Sequence, residues 1–223
     1  MDRIIVFDVN ETLLDVGALD PLFERMFGDA GVRREWFGQM LQSAFVSTIV
    51  DSYRDFGTLA MGALAMVAER HGVTVADEDR QALGAGMRSL PPHPEVREAM
   101  DRLRDAGFRL STLTNSTPEV AEAQLANAGL RDLVVHVLSA DTVRRLKPAP
   151  EPYRMAAERH EVSIGAIRLV AAHAWDIAGA LRAGSAAAFV ARPGQVLDRA
   201  GAQPDIVGAN LDDVAKQIVA ADR

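Results

Sequence analysis

The chain contains no cysteine. Disulfides, thiolate catalysis and Cys-ligated zinc are therefore excluded from the outset. It has no basic run either, and 24 Lys and Arg against 31 Asp and Glu give a formal net charge of −7. That balance argues against nucleic acid or an anionic membrane as the main partner. An anionic small molecule stays open as a ligand, because a pocket can be locally basic. No uncharged stretch offers the ~18 apolar residues that a membrane span needs. The start, Met1-Asp2-Arg3, leads into Ile4-Ile5-Val6-Phe7 and then Asp8, too short an apolar run for a secretory signal. A cytoplasmic location is the expectation. Repeats and low-complexity tracts are missing. His71, His93, His136 and His160 lack paired ligand spacing, and Gly179, Gly184 and Gly194 form no dinucleotide fingerprint.

What is present fits a protein with a real core. The 223 residues are 48% hydrophobic and 25% charged, enough for one large α/β domain or a core with an inserted partner. Five short apolar runs read as buried parallel strands: Ile4–Phe7, 108–113, 134–138, Ile167–Ala171 and Ala186–Val190. They lack strict alternation, as expected of a sheet covered on both faces. A helix is predicted over 94–106, with Val96, Met100 and Leu103 on one face and Gly107 just past its end. Thr117 and Pro118 open the next helix as N-cap and N1, and Gly129 closes it. Further helices are predicted over 150–160, over 176–183 before Gly184, and over 211–223.

Nearly a hundred residues separate the first two strands, far more than a simple crossover needs. Four amphipathic helices are predicted there, over 19–26, 35–52, 59–70 and 77–83. Residues 14–90 thus read as an all-helical module inserted into an α/β core made of 1–13 and 91–223. Its apolar helices offer more surface than one core can cover, which makes a homodimer plausible.

The sharpest signal is Phe7-Asp8-Val9-Asn10-Glu11-Thr12, directly after the first strand. Open α/β sheets bind ligands at the carboxyl ends of their strands. Asp8 stands where a catalytic carboxylate belongs, and Thr12 can orient it. The bland alternative is the N-cap of a following helix. Three other strand ends carry similar chemistry. Thr114, Asn115 and Ser116 suit a substrate carboxylate or phosphoryl oxygen. Lys147, in Leu146-Lys147-Pro148, can pair with Asp8 and keep it ionised. His173 and Asp176 follow the fourth strand. Each has a structural explanation alone, such as a helix cap or a surface lysine. Together, at successive strand ends, they describe one site.

Taken in order, these residues resemble the four motifs of the haloacid dehalogenase superfamily: Asp8 with Thr12, Thr114, Lys147 and Asp176. The resemblance runs over nearly the whole chain. It implies a Rossmann-like parallel-sheet core with an inserted helical cap, and Asp8 as a nucleophile that briefly carries the substrate as an ester. Leu113-Thr114-Asn115, Lys147-Pro148 with Tyr153, and Ala174-Trp175-Asp176 look most like the type II 2-haloacid dehalogenases. The implied reaction is hydrolytic dehalogenation of a short 2-haloalkanoate with no metal or other cofactor. Thr12, Thr114 and Asn115 would bind or orient the carboxylates above a network of Lys147 and Asp176.

Asn10 separates this reading from a phosphatase. Phosphatases of the superfamily carry a second aspartate there, which protonates the leaving alcohol. An amide cannot, whereas a halide leaves without a proton. The alternative is a Mg-dependent phosphatase using Asp8, the Asn10 carbonyl and Asp176 as ligands. A third reading is a binding protein that kept the fold and lost turnover. That reading draws on a departure from the type II pattern: an arginine usually follows the cap tryptophan and captures the halide, but here Trp36 is followed by Phe37. Arg33 and Arg34 are expected to cap or solvate their helix. Gln39 and Gln42, on one helix face, are expected to offer amide donors to the halide instead. Phe37, Met40 and Phe45 are candidates for an apolar wall. Where the family usually has asparagine stands His173, and the resemblance makes the first and fourth strands neighbours. His173, oriented by Glu11, is therefore expected to activate the water that opens the ester.

Overall fold

Both faces of the sheet are covered, and this explains why its strands are continuous apolar runs. The computed structural model describes residues 3–222. Met1 and Asp2, and Arg223 at the end of the predicted last helix, lie outside the described residues. The strands are β1 (Ile4–Phe7), β2 (Arg109–Thr114), β3 (His136–Ser139), β4 (Ile167–Ala171), β5 (Ala186–Val190) and β6 (Ile206–Gly208). They form one sheet in the order β3-β2-β1-β4-β5-β6, with every pairing parallel. Along β1, Ile5 and Phe7 join one apolar cluster and Ile4 and Val6 join the other.

Nine helices accompany the described strands: α1 (Asp20–Phe27), α2 (Val32–Ile49), α3 (Phe56–His71), α4 (Asp77–Arg88), α5 (Val96–Asp105), α6 (Pro118–Asn127), α7 (Pro150–Arg159), α8 (Ala174–Ala183) and α9 (Leu211–Ala221). The first four fall between β1 and β2 as an all-helical insertion. The expected class, a Rossmann-like parallel-sheet core with an inserted helical cap, is the one observed. Among the described residues, no helix is long and apolar enough to cross a membrane.

The chain order and the sheet order together locate the functional edge. The chain runs outward through β2 and β3 on one side of β1, then returns to start β4 on the other. The crevice between the carboxyl ends of β1 and β4 is the topological switch point, where such sheets bind ligands. Asp8 follows β1, and His173 follows β4.

Some boundaries differ from expectation, for physical reasons. The sixth strand is too short for any periodicity to register, and its middle residue Val207 is exposed. The second cap helix starts at Val32 rather than 35, because Val32 and Arg33 are both buried. The fourth runs on through two glycines to Arg88. At one of them, Gly86, a Cβ would sit only 2.6 Å from Leu19 Cδ2, so close packing demands the residue that helix propensity disfavours.

At the opposite edge of the sheet, Arg168 on β4 is fully buried and ties in the C-terminal segment. Its guanidinium donates to Asp205 at 2.5 and 2.9 Å and to Asp222 at 2.5 and 3.0 Å. Removing one partner of a buried ion pair strands the other's charge. Arg168→Ala should therefore lower stability by about 3 kcal/mol, read as a shift in the urea midpoint.

Candidate active site

The site is assembled from the loops that follow the central strands. Asp8 is the first residue beyond β1, and its backbone N–H donates to Val170 O on β4 at 3.0 Å. Its carboxylate is only 6% exposed and accepts three side-chain hydrogen bonds. Thr12 Oγ donates to Oδ2 at 2.7 Å, Lys147 Nζ to Oδ1 at 2.9 Å, and His173 Nδ1 lies 3.2 Å from Oδ2. The bland reading of Asp8 as a helix cap fails, since no helix begins there. The loop folds back on itself, with Leu13 and Leu14 N–H groups both donating to Val9 O.

Beneath Asp8 lies Lys147. Its ammonium also donates to Asp176 Oδ2 at 2.6 Å and to Leu113 O at 2.8 Å, which fills all three of its donor positions. Tyr153 Oη donates to the other Asp176 oxygen at 2.5 Å. Gly179 makes this arrangement possible. A Cβ there would fall 2.6 Å from Tyr153 Oη and 2.8 Å from Pro148 O, so α8 can approach Tyr153 and the Lys147-Pro148 loop only as glycine.

On the solvent side, His173 Nε2 lies 2.8 Å from Glu11 Oε2, so the imidazole bridges two carboxylates. Glu11 occupies a left-handed backbone conformation (φ 60°), which a non-glycine residue adopts only when its surroundings hold it there. Gln195 Nε2 donates to Glu11 Oε2 at 2.9 Å, and Arg33 Nη1 stands 3.6 Å from Glu11 Oε1.

These contacts set the protonation states. Burial pushes the Asp8 carboxyl up, but the Lys147 ammonium and the His173 hydrogen bond outweigh it and hold Asp8 well below the usual carboxylate range. Burial pulls His173 down, yet its hydrogen bonds to Asp8 and Glu11 carry it up to about 9. Lys147 is raised as well: burial opposes its charge, and Asp176 and Asp8 more than compensate. At neutral pH the site holds an ionised Asp8 between two cations.

A chamber of about 10 Å³ lies against Asp8, bounded also by Asn10, Thr114, Asn115, Phe37 and Trp175. The structure thus gathers most of the expected residues: Asp8, Glu11, Thr12, Lys147, His173 and Asp176 in one network, with Asn10, Phe37, Thr114 and Asn115 around the chamber. Two polar roles are narrower than expected. The Asn115 carboxamide closes on the Lys147 backbone, accepting from its N–H at 2.8 Å. The Asn10 carboxamide accepts from Gln124 Nε2 at 2.9 Å and faces Ser116.

Gln39 and Gln42 are a correction. Their amides meet each other at 3.1 Å, and Gln39 Oε1 accepts from Arg70, so neither reaches the chamber. Their helix turns Phe37 and Leu41 inward instead. Phe45 packs edge-on against Trp175, and Met40 lines a neighbouring cavity rather than the chamber. Arg33 is corrected too: it is buried and directed at Glu11 and Asp20, not spread over a solvated face. Gln195, which meets Glu11, and Leu41 and Phe56, which border the chamber, carry nothing in their local sequence that marks them for this site.

The sequence profile of the haloacid dehalogenase-like hydrolases matches residues 3–184. The chain belongs to that family. It is 28% identical over 214 residues to (S)-2-haloacid dehalogenase 2 of Pseudomonas sp. (strain CBS-3), covering 95% of this chain and 93% of that one. Among solved structures it is similar to an L-2-haloacid dehalogenase at 27% identity and a TM-score of 0.93, covering 98% and 99% of the two chains. The L-2-haloacid dehalogenase of Xanthobacter autotrophicus with chloropropionic acid covalently bound has the same fold, with a TM-score of 0.91, 24% identity and 99% of both chains covered.

Because His173 owes its raised pKa to two carboxylates, it contributes stability that is complete below about 6.5 and is lost as pH rises through about 9. Asp8→Asn should move the His173 titration midpoint down by about one pH unit or more, measured from the imidazole resonances by NMR. An unmoved midpoint would mean that the Asp8 contact does not hold the proton.

Proposed function

We propose that this chain hydrolyses short 2-haloalkanoic acids through an ester on Asp8. One observation carries the reading: Asp8 is held ionised against a small chamber walled on one side by Phe37, Leu41, Phe56 and Trp175, and the residue two positions on is an amide tied to Gln124 and Ser116. A nucleophile without a neighbouring acid suits a leaving group that needs no proton. The likeness to 2-haloacid dehalogenases over nearly the whole chain supports the same conclusion.

In the first step an Asp8 oxygen attacks C2, the carbon–halogen bond breaks, and the halide leaves with the electron pair. Asp8 loses its charge on becoming an ester, so one of the two carboxylates that hold the His173 proton disappears. His173 then holds that proton less tightly, and its release to solvent leaves Nε2–H on Glu11 and a free lone pair at Nδ1 facing the ester. His173 thus serves as the base for water attack only after the ester has formed. Water adds to Cγ as Nδ1 takes one of its protons; the bond to the substrate oxygen then breaks as Nδ1 passes that proton to the departing alkoxide, and the hydroxy acid leaves. The Asp8 carboxylic acid returns its proton to Nδ1 and restores the resting ion pair. Lys147 stabilises the oxyanion at Cγ, and Thr12 and Thr114 orient the carboxylates.

The magnesium alternative finds a poor fit. Both Asp176 oxygens are engaged by Lys147 and Tyr153, and Asp8 is engaged by Lys147, Thr12 and His173. Among the described residues, no group of three His, Cys, Asp or Glu is gathered to hold a metal. The proposal therefore includes no cofactor.

The proposed cap spans 14–90. Its support is that the outgoing and returning segments lie side by side, with Asp15 N donating to Pro91 O at 2.8 Å and His93 N to Leu13 O at 2.9 Å. A homodimer through the end of α2 is proposed on the exposure of Val46, Ile49 and Val50 there; Ile49→Asp should lower the sedimentation mass to that of a monomer. The cytoplasmic location expected from the sequence belongs to the same proposal, with subcellular fractionation as its check.

The decisive assay supplies 2-chloropropionate, fluoroacetate and a generic phosphate ester, each with and without Mg²⁺. Halide release without metal, abolished in Asp8→Asn, is the expected result. Phosphate release that requires Mg²⁺ would overturn it, and silence with every substrate would favour a binding protein. His173→Ala should form the ester and fail to open it, which intact-protein mass spectrometry would register as an adduct on Asp8.

A further inference from the structure

The chamber beside Asp8, at about 10 Å³, has room for about one water. Any substrate must therefore displace part of its wall. The chamber adjoins two larger cavities, and their linings differ in kind. One, of about 610 Å³, is reached past Phe37, Leu41 and Trp175 and is lined by charged groups that include Asp15, Asp20, Arg34 and Arg192. The other, of about 300 Å³, lies behind Phe56 and is lined by Met40, Met61, Met87 and Leu83. Phe56 borders both this cavity and the chamber.

We infer that the methionine-lined cavity is a subsite for the alkyl tail of longer 2-haloalkanoates, with Phe56 as the partition that sets chain length. This rests on the dehalogenase reading of the site. Attack by Asp8 fixes C2, and the carboxylate must stay with the polar groups around Thr114 and Asn115. Carbons from C3 onward then have to leave a chamber that cannot contain them. In the larger cavity methylenes would lie among charged groups that need water, whereas the cavity behind Phe56 is lined mainly by apolar side chains. Methionine is unbranched and flexible, so three such side chains can repack around tails of different length.

The empty space has a definite origin. Gly57 and Gly84 both line the cavity, contributing no side chain where α3 and α4 face each other. A Cβ on Gly84 would meet only the end of the Arg88 side chain, at 3.7 Å. A larger residue fits there and would fill the cavity, while improving the helix propensity of α4. Phe56 is held at the first turn of α3 by Asp55, whose carboxylate caps the helix by accepting from Thr58 N at 2.9 Å. The partition is thus a side chain on a fixed backbone.

The test measures halide release from 2-chloropropionate and 2-chlorohexanoate, compared as a ratio of kcat/KM values. Phe56→Ala should raise the hexanoate-to-propionate ratio about tenfold, and Gly84→Met should lower it about tenfold, as two or so buried methylenes would give. Phe56→Leu replaces Phe56→Ala should the latter fail to fold, with a smaller rise expected. A wild-type protein that releases halide from neither acid would overturn the dehalogenase reading. Activity on propionate with a ratio unmoved in the Phe56 and Gly84 variants would overturn the tail subsite alone.

Discussion

Lys147 carries a full positive charge at a point with 1% exposure, and the architecture around it answers that charge. An ammonium out of water is tolerable only with anionic partners and every donor satisfied. Asp8, Asp176 and the Leu113 carbonyl meet that requirement, and they come from three segments that share no local sequence. Each has been brought there by a strand: β1 leads into Asp8, β2 contributes Leu113, and β4 leads into the helix that bears Asp176. Were the sheet order different, the ammonium would be left with one partner or none.

From Lys147 the charges alternate outward. Asp176 and Asp8 flank the ammonium, His173 stands against Asp8, Glu11 against His173, and Arg33 near Glu11. The inner members Lys147, Asp8, His173 and Glu11 each have the opposite sign on either side, so altering one charge is felt by its neighbours. In the proposed reaction, esterification of Asp8 removes one such charge at the moment when His173 is to change from proton holder to base. The outermost members belong to different parts of the chain: Arg33 comes from the helical insertion and Gln195 from the loop after β5. Glu11, in its left-handed conformation, is where these parts meet. Facing this polar line, Phe37, Leu41, Phe56 and Trp175 close one side of the chamber, which limits water there and keeps the electrostatic interactions strong.

Much of the core network is legible in the sequence. Asp8, Thr12, Lys147 and Asp176 announce themselves because polar residues directly after apolar strands have few other reasons to be there. Glu11 and His173 follow β1 and β4, which the sheet makes neighbours, and their side chains meet at 2.8 Å. Residues on helices were harder. A helix face shows which residues share a side, but not what that side meets. Gln39 and Gln42 do share a surface, yet it is turned toward Arg70 on α3. Arg33 looked like a solvated arginine, and Phe56 looked like one more core aromatic.

Composition, apolar runs and strand-end chemistry thus determined the fold class, the helical insertion and the inner polar network of Asp8, Thr12, Lys147 and Asp176, because those features are written in short, contiguous pieces of chain. The tertiary structure decided the rest. It determined that His173 touches two carboxylates and so rests protonated, that Arg33 and Gln195 brace Glu11, and that a methionine-lined cavity lies behind Phe56. The physical reason is that protonation, burial and cavity shape depend on the atoms within a few ångströms of a group. For the residues at this site, most of those atoms belong to chain that is distant in sequence.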